Sequence, residues 1–198
     1  MKDHNFEIIS AAQDTGGEEA AGTLFDRAGA TYTTIIDVQH TISSLYNFVN
    51  VPSEVWIDEE GKIVRYNEGT YASTHKMGTF EFGRDDYLPA VRDWVENGVE
   101  SEFVQSAQDV SKNIIARSSD AEQAEPTFKL GVYFHLQGDE ERANQYWEKA
   151  QTLNPDSWNF HRQDWSFTPS EGILTWQKKV QGLGDRPYYQ PLGLKKKP

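Results

Sequence analysis

The chain has 198 residues, 37% of them hydrophobic and 13% aromatic, with six tryptophans, a formal net charge of −12 and no cysteine. That length holds one large domain or two small ones, and the bulky apolar content excludes a disordered polypeptide, while the absence of cysteine excludes disulfides, thiolate metal sites and thiol catalysis by this chain. Residues 1–98 carry 7 Lys/Arg against 17 Asp/Glu, a balance that repels phosphate backbones and anionic lipid, so neither nucleic acid nor a membrane surface is an expected partner.

Phe6-Glu-Ile-Ile-Ser-Ala-Ala12 is a short run of β-formers closed by Gln-Asp-Thr-Gly-Gly17, the pattern of a buried parallel strand leaving into a loop. Glu18 to Ala28 reads as a helix, acidic in its first turn and followed by Gly29. Thr33 to Asp37 is a second extended piece, and Ile42, Leu45 and Phe48 recur at helical spacing over residues 41–48. Glu54-Val-Trp-Ile57 and Lys62-Ile-Val-Arg65, separated by Asp58-Glu-Glu-Gly61, predict a tight antiparallel hairpin, with Pro52 at the entry of its first strand, where no ladder donor is needed. A loop over residues 69–83 leads to a helix over Asp85 to Asn97, with Leu88, Val91, Trp94 and Val95 on one face, Asp85 or Asp86 available as a cap and Gly98 as a stop.

The order is strand, helix, short strand, helix, hairpin, helix. With Ile9-Ser-Ala-Ala-Gln-Asp14, Ile36-Asp37 with His40 and Tyr46, and Val51-Pro52 leading into Val55-Trp-Ile-Asp58 and Gly61-Lys-Ile-Val64, residues 5–97 resemble the thioredoxin-like fold of the redoxin group, the TlpA-like disulfide reductases and their peroxiredoxin-like relatives. The resemblance implies an α/β fold, a cis peptide before Pro52, and an extended substrate pairing with the backbone of Val51 and Pro52, whose amide and carbonyl a cis bond would leave free. It also implies that the family's first strand and cysteine-bearing helix are missing, because Met1 falls where that helix should be ending. The strand is an inner one, so its loss exposes two rows of backbone donors and acceptors. The flanking strands close up, a neighbouring chain supplies a strand, or the sequence is the carboxyl-terminal part of a longer protein; the last is the simplest expectation.

From Ala124 to Ser157 the chain resembles one tetratricopeptide repeat: Leu130-Gly131, Phe134, Gly138, Ala143, Trp147, Ala150 and Pro155 stand at the repeat's offsets, with Thr127 in place of its usual first tryptophan. One repeat cannot bury its own face, so flanking helices must assist. Ser101 to Ser118 offers Phe103, Val104, Ala107, Val110, Ile114 and Ile115 as an amphipathic helix, Glu171 to Val180 offers another, and Trp158 to Trp165 with Phe167 reads as an aromatic cap. The expected architecture is an incomplete thioredoxin-like domain over residues 1–98 and a helical, tetratricopeptide-like appendage over residues 99–198. The repeat family holds partner peptides or mediates oligomers, and simple packing accounts for the same residues.

Other chemistry is sparse. Ser73-Thr-His-Lys76 has the spacing of a lysine-activated serine but none of its companion motifs. The five histidines are scattered, with no metal-ligand spacing. Asp37 and His40 either share a proton near the family's active face or cap the helix that begins near Thr41. The acidic turn at Asp58-Glu59-Glu60 and the basic end Leu194-Lys-Lys-Lys-Pro198 read as solvated segments. No segment is apolar enough to cross a bilayer and no secretory leader is legible, so a cytoplasmic protein is expected. Two functions remain: a redoxin-family protein of thiol-disulfide or peroxide chemistry, catalytically incomplete in this chain, and a cysteine-free module binding a protein, a peptide or a sister subunit through Val51, Pro52 and the repeat. Neither has a catalytic residue, metal or cofactor assigned.

Overall fold

The computed structural model describes residues 4–69, 72–77, 80–114, 116–191 and 193–194. Met1, Ile115 and the lysines of the terminal run, each used in the sequence reading, lie outside them. The elements in chain order are β1 (Ile9–Ala12), α1 (Gly17–Ala28), β2 (Thr33–Ile36), α2 (Thr41–Tyr46), β3 (Ser53–Ile57), β4 (Ile63–Glu68), β5 (His75–Met77), β6 (Phe80–Phe82), α3 (Tyr87–Asn97), a 3-10 turn (Gly98–Glu100), α4 (Ala107–Asn113), α5 (Ser119–Leu136), α6 (Glu140–Leu153), α7 (Trp158–Ser166) and α8 (Pro169–Gln181). The mixture of helices and small sheets is α/β in content.

The strands form three two-stranded sheets: β1 with β2, β3 with β4, and β5 with β6. Direct closure of the flanking strands, one of the three expected ways to fill the gap of a lost inner strand, is therefore absent among the described residues. Two compact units are formed. One holds Met1–Phe6, Asn50–Ile115 and Asp185–Pro198, the other Glu7–Val49 and Ala116–Gly184. This partition crosses the boundary expected at residue 98.

In the unit of Glu7–Val49 and Ala116–Gly184, β1 and β2 pair in parallel from Ile9 with Thr33 to Ala12 with Ile36, joined by α1, whose left-handed C-cap is Gly29. Short α2 leaves Leu45 76% exposed, so the apolar face expected over residues 41–48 is not buried as a stripe. The helical core is built by α5 and α6 around Ala124, Phe128, Val132, Ala143, Trp147, Ala150 and Phe160. Ser118 and Asp139 cap these helices, accepting from the amides of Ala121 and Arg142. The small residues act as expected: Gly131 lies beneath the Trp147 indole, and Ala143 and Ala150 are fully buried. Trp158 to Trp165, expected as an aromatic cap, lies in the helix α7, and Phe167, just past its end, stacks on Trp147. Residues 7–49 belong with these helices because Asn159 ties down the carbonyls of Phe48 and Val49, and Arg117 donates to the carbonyl of Ser44.

In the other unit, β3 and β4 form the predicted hairpin, with a bulge at Trp56/Ile57. The turn is an Asx turn: Asp58 Oδ1 accepts from the amides of Glu60 and Lys62, and Gly61 supplies φ 78°. Trp56, Val64, Tyr87, Ala90, Val91 and Leu194 make its core, with Phe6, Trp94, Val95, Phe103 and Val104 packed at the margin. The helix expected over residues 101–118 is confined to Ala107–Asn113. Two competitors shorten it: Ser106 takes the N-cap, and Phe103 and Val104 are drawn onto the hairpin core, where Arg65 binds the carbonyl of Phe103 and Gln105 donates to that of Val64. Asp86 sits at the N-cap of α3 but its carboxylate is held by Arg84, and Asp85 accepts from Thr74, so neither caps the helix by side chain. The loop after Gly69 contains the small hairpin β5–β6. Leu194 is 4% exposed, a core residue rather than the start of a solvated end.

Candidate functional site

Val51 and Pro52 lie between the buried Asn50 and the first residue of β3, and the Val51–Pro52 peptide is cis, as the family resemblance implies. Asn50, 1% exposed, organises the loop. Its Oδ1 accepts from the amide of Val51 at 2.9 Å, its carbonyl accepts from Ser53 Oγ at 2.6 Å, and its Nδ2 donates to the carbonyl of Tyr188 at 3.1 Å. The amide of Gly69, at the end of β4, donates to the carbonyl of Pro52 at 2.8 Å.

One expectation is corrected here. The amide and carbonyl of Val51 are not free: the first is bound by Asn50, and the second accepts from the Tyr189 hydroxyl at 2.9 Å. Tyr189 comes from the carboxyl-terminal segment, which sequence reasoning left without a role. Its ring packs so closely on Gly69, φ 68°, that a Cβ placed there would lie 2.8 Å from it. The next amide, Gln190, donates to Glu68 Oε2 at 3.1 Å. The signal that would have found this segment is the aromatic pair Tyr188-Tyr189 beside Pro187 and Pro191, a stretch with polar tips and no helical periodicity.

Glu68 is a buried carboxylate whose pKa is raised by desolvation, against which the Gln190 amide works. Glu54, on β3, is raised for the same reason; its Oε1 accepts from Trp56 Nε1 and Asn67 Nδ2, each at 2.8 Å. Arg65, 2% exposed, lies 5.3 Å over the Trp56 ring and donates to Asn67 Oδ1. These groups stiffen the hairpin that carries the loop; none offers a nucleophile.

Asp37 and His40 do not share a proton. Both carboxylate oxygens of Asp37 accept helix-start amides, from Thr41 at 2.9 Å and Ile42 at 2.7 Å, so the capping alternative holds. His40, 3% exposed with φ 54°, turns instead to Gln163, whose Oε1 accepts from His40 Nε2 and from the amide of Thr15, each at 2.8 Å. Gln163 Nε2 donates to Ser166, which fixes the amide's orientation and places the imidazole proton on Nε2. Nδ1 is then a buried lone pair without a partner, and burial lowers the pKa of His40 to about 4. A neutral histidine locked this way is a packing element.

Ser73 Oγ meets His75, and Lys76 pairs with Glu81 at 3.0 Å, so the Ser73–Lys76 spacing joins no serine–lysine pair. Among the described residues no three His, Asp or Glu gather as a metal site, and no helix is long and apolar enough to cross a membrane. Of the residues singled out from sequence, Val51 and Pro52 thus stand in a built polar site, whereas Asp37, His40 and Ser73 serve local structure. No protein-family model, no curated protein and no solved structure matches the chain.

Proposed function

We propose that this chain is a protein of thioredoxin-like, redoxin-type ancestry, without thiol chemistry of its own, that binds an extended peptide at the Val51–Pro52 loop. The order of the βαβ piece over residues 9–36 and of the hairpin over residues 53–68 followed by α3, each in its own two-stranded sheet, supports the ancestry, and the small residues buried between α5 and α6 support reading that pair as tetratricopeptide-like. Disulfide or peroxide reduction belongs to the ancestry; with no cysteine in the sequence this polypeptide has no sulfur to carry it.

The observation that carries the binding reading is the use to which the loop is put. Asn50 Nδ2 donates to a main-chain carbonyl, Val51 offers its carbonyl to a hydroxyl, and Glu68 accepts a main-chain amide, all toward residues 188–190. Main-chain groups held on either side of an anchored side chain give a bound peptide both affinity and a side-chain preference. The test has two arms. Disulfide-exchange and peroxide-consumption assays on the purified chain give no turnover. Anisotropy titrations with labelled extended peptides give saturable binding that Asn50→Ala abolishes; turnover in the first arm, or binding indifferent to Asn50→Ala, refutes the proposal.

A further inference from the structure

We infer that the segment 186–191 is a built-in occupant of the peptide site, and that the site selects a tyrosine; this rests on the peptide-binding reading above. Tyr189 is held at both ends of its side chain. Its ring lies on the bare backbone of Gly69, where any larger residue would collide with it, and its hydroxyl reaches the Val51 carbonyl at 2.9 Å. The flanking main chain is held as a peptide's would be: the carbonyl of Tyr188 by Asn50 Nδ2 at 3.1 Å, the amide of Gln190 by Glu68 at 3.1 Å. Beyond it Leu194 is sunk in the hairpin core.

The anchoring is uneven. Tyr188 and Leu194 are buried at 9% and 4%, whereas Gln190 is exposed and Tyr189 half-buried. The centre of the strap is therefore its more accessible part, and the bonds of Tyr189 and Gln190 and the ring's contact with Gly69 are each modest in net free energy and each reproducible by a competitor. A partner presenting a Tyr-x stretch that takes up the same bend, with a free amide after the tyrosine, makes the same contacts in trans, so the strap sets a threshold that only such a ligand crosses. Phenylalanine fits the ring position but leaves the Val51 carbonyl without its donor, which is the basis of the selection.

The probe is a fluorescein-labelled synthetic peptide of the sequence of residues 186–194, titrated by anisotropy into the full-length chain, Tyr189→Ala and Tyr189→Phe. Tyr189→Ala removes the strap's hydroxyl bond to Val51 and its ring contact with Gly69, so the strap yields the Asn50, Val51 and Glu68 contacts to the peptide more readily and the variant binds it at least about tenfold tighter than the parent chain, a ratio set by one hydrogen bond and one ring contact. Tyr189→Phe gains less, and a peptide with phenylalanine at the Tyr189 position binds Tyr189→Ala more weakly than the parent peptide. Circular dichroism confirms that each variant is folded. Equal binding to all three chains, or no binding by a folded Tyr189→Ala chain and a folded Tyr189→Phe chain, overturns the inference. A second arm, a tyrosine-free extended peptide, separates it from the wider reading: equal affinity for the parent chain and Tyr189→Ala removes the strap and keeps peptide binding, whereas binding of the tyrosine peptide alone to Tyr189→Ala keeps the strap and removes general peptide recognition.

Discussion

Gly131→Ala isolates the packing that holds the helical unit together. On helix propensity alone the change stabilises α5 by about 1 kcal/mol, since glycine is the poorer helix former. The structure opposes it. A Cβ at position 131 falls inside the contact distance of Trp147 Cδ1 and Nε1, with Cγ at 3.0 Å, and Trp147 is 1% exposed, flanked by Phe128, His135 and Phe167. Three rings already pack around the indole, so the added methyl strains the core by about 1–3 kcal/mol, as overpacking does. The net expectation is a loss of up to about 2 kcal/mol by these figures. Urea unfolding followed by tryptophan fluorescence and far-ultraviolet circular dichroism measures it, and pairing the change with Trp147→Leu, which makes room, should recover most of the loss specific to position 131. Stabilisation by Gly131→Ala, or no coupling to Trp147→Leu in the double-mutant cycle, refutes the close packing of α5 on α6.

Other outcomes follow from the same geometry. His40, neutral when folded with a pKa near 4, takes a proton below 6.5 only when unfolded, so its contribution is complete above that value and is lost as pH falls from 6.5 toward 4. The loss is about 3 kcal/mol at most, and His40→Gln flattens this part of the stability profile measured by urea titration at pH 7 and pH 4.5. Glu54 and Glu68 act in the opposite sense: their raised values make the folded chain hold protons above the ordinary 4.5, so their contribution is full at lower pH and declines as pH rises through the raised values. Glu68→Gln removes part of that decline. Leu194→Ala opens the core formed with Trp56, Val64, Tyr87, Ala90 and Val91 and costs about 2–4 kcal/mol in the same unfolding assay; a loss under about 0.5 kcal/mol would show the segment 186–194 to be unattached.

The hairpin, the helix of residues 87–97 and the α5–α6 pair were legible because each carries its own local signal: an acidic glycine turn, a spaced apolar face, small residues at repeat offsets. Long-range competition was not. Ser101 to Ser118 has the periodicity of a helix, yet Phe103 and Val104 gain more by covering Trp56 and Val64 than by lining a helix, and Ser106 is a better cap than Ser101. Asp37 and His40 were correctly read as neighbours, but the partner that decides His40, Gln163, is 123 positions away. The Val51–Pro52 loop was placed by its proline, whereas Tyr189, which bonds it, lies 138 residues from Val51 in a stretch with no periodic pattern to flag it. Side-chain pairings at such separations leave no trace in local composition.

The most direct measurement is an amide-resolved NMR titration of nitrogen-15-labelled Tyr189→Ala with the peptide of residues 186–194. Peptide recognition at the cis-proline loop predicts saturable shifts confined to Asn50, Val51, Ser53, Glu68, Gly69, the displaced residues 188–190 and their immediate neighbours. Shifts concentrated on α5 to α8, or a spectrum unchanged at millimolar peptide, would contradict it.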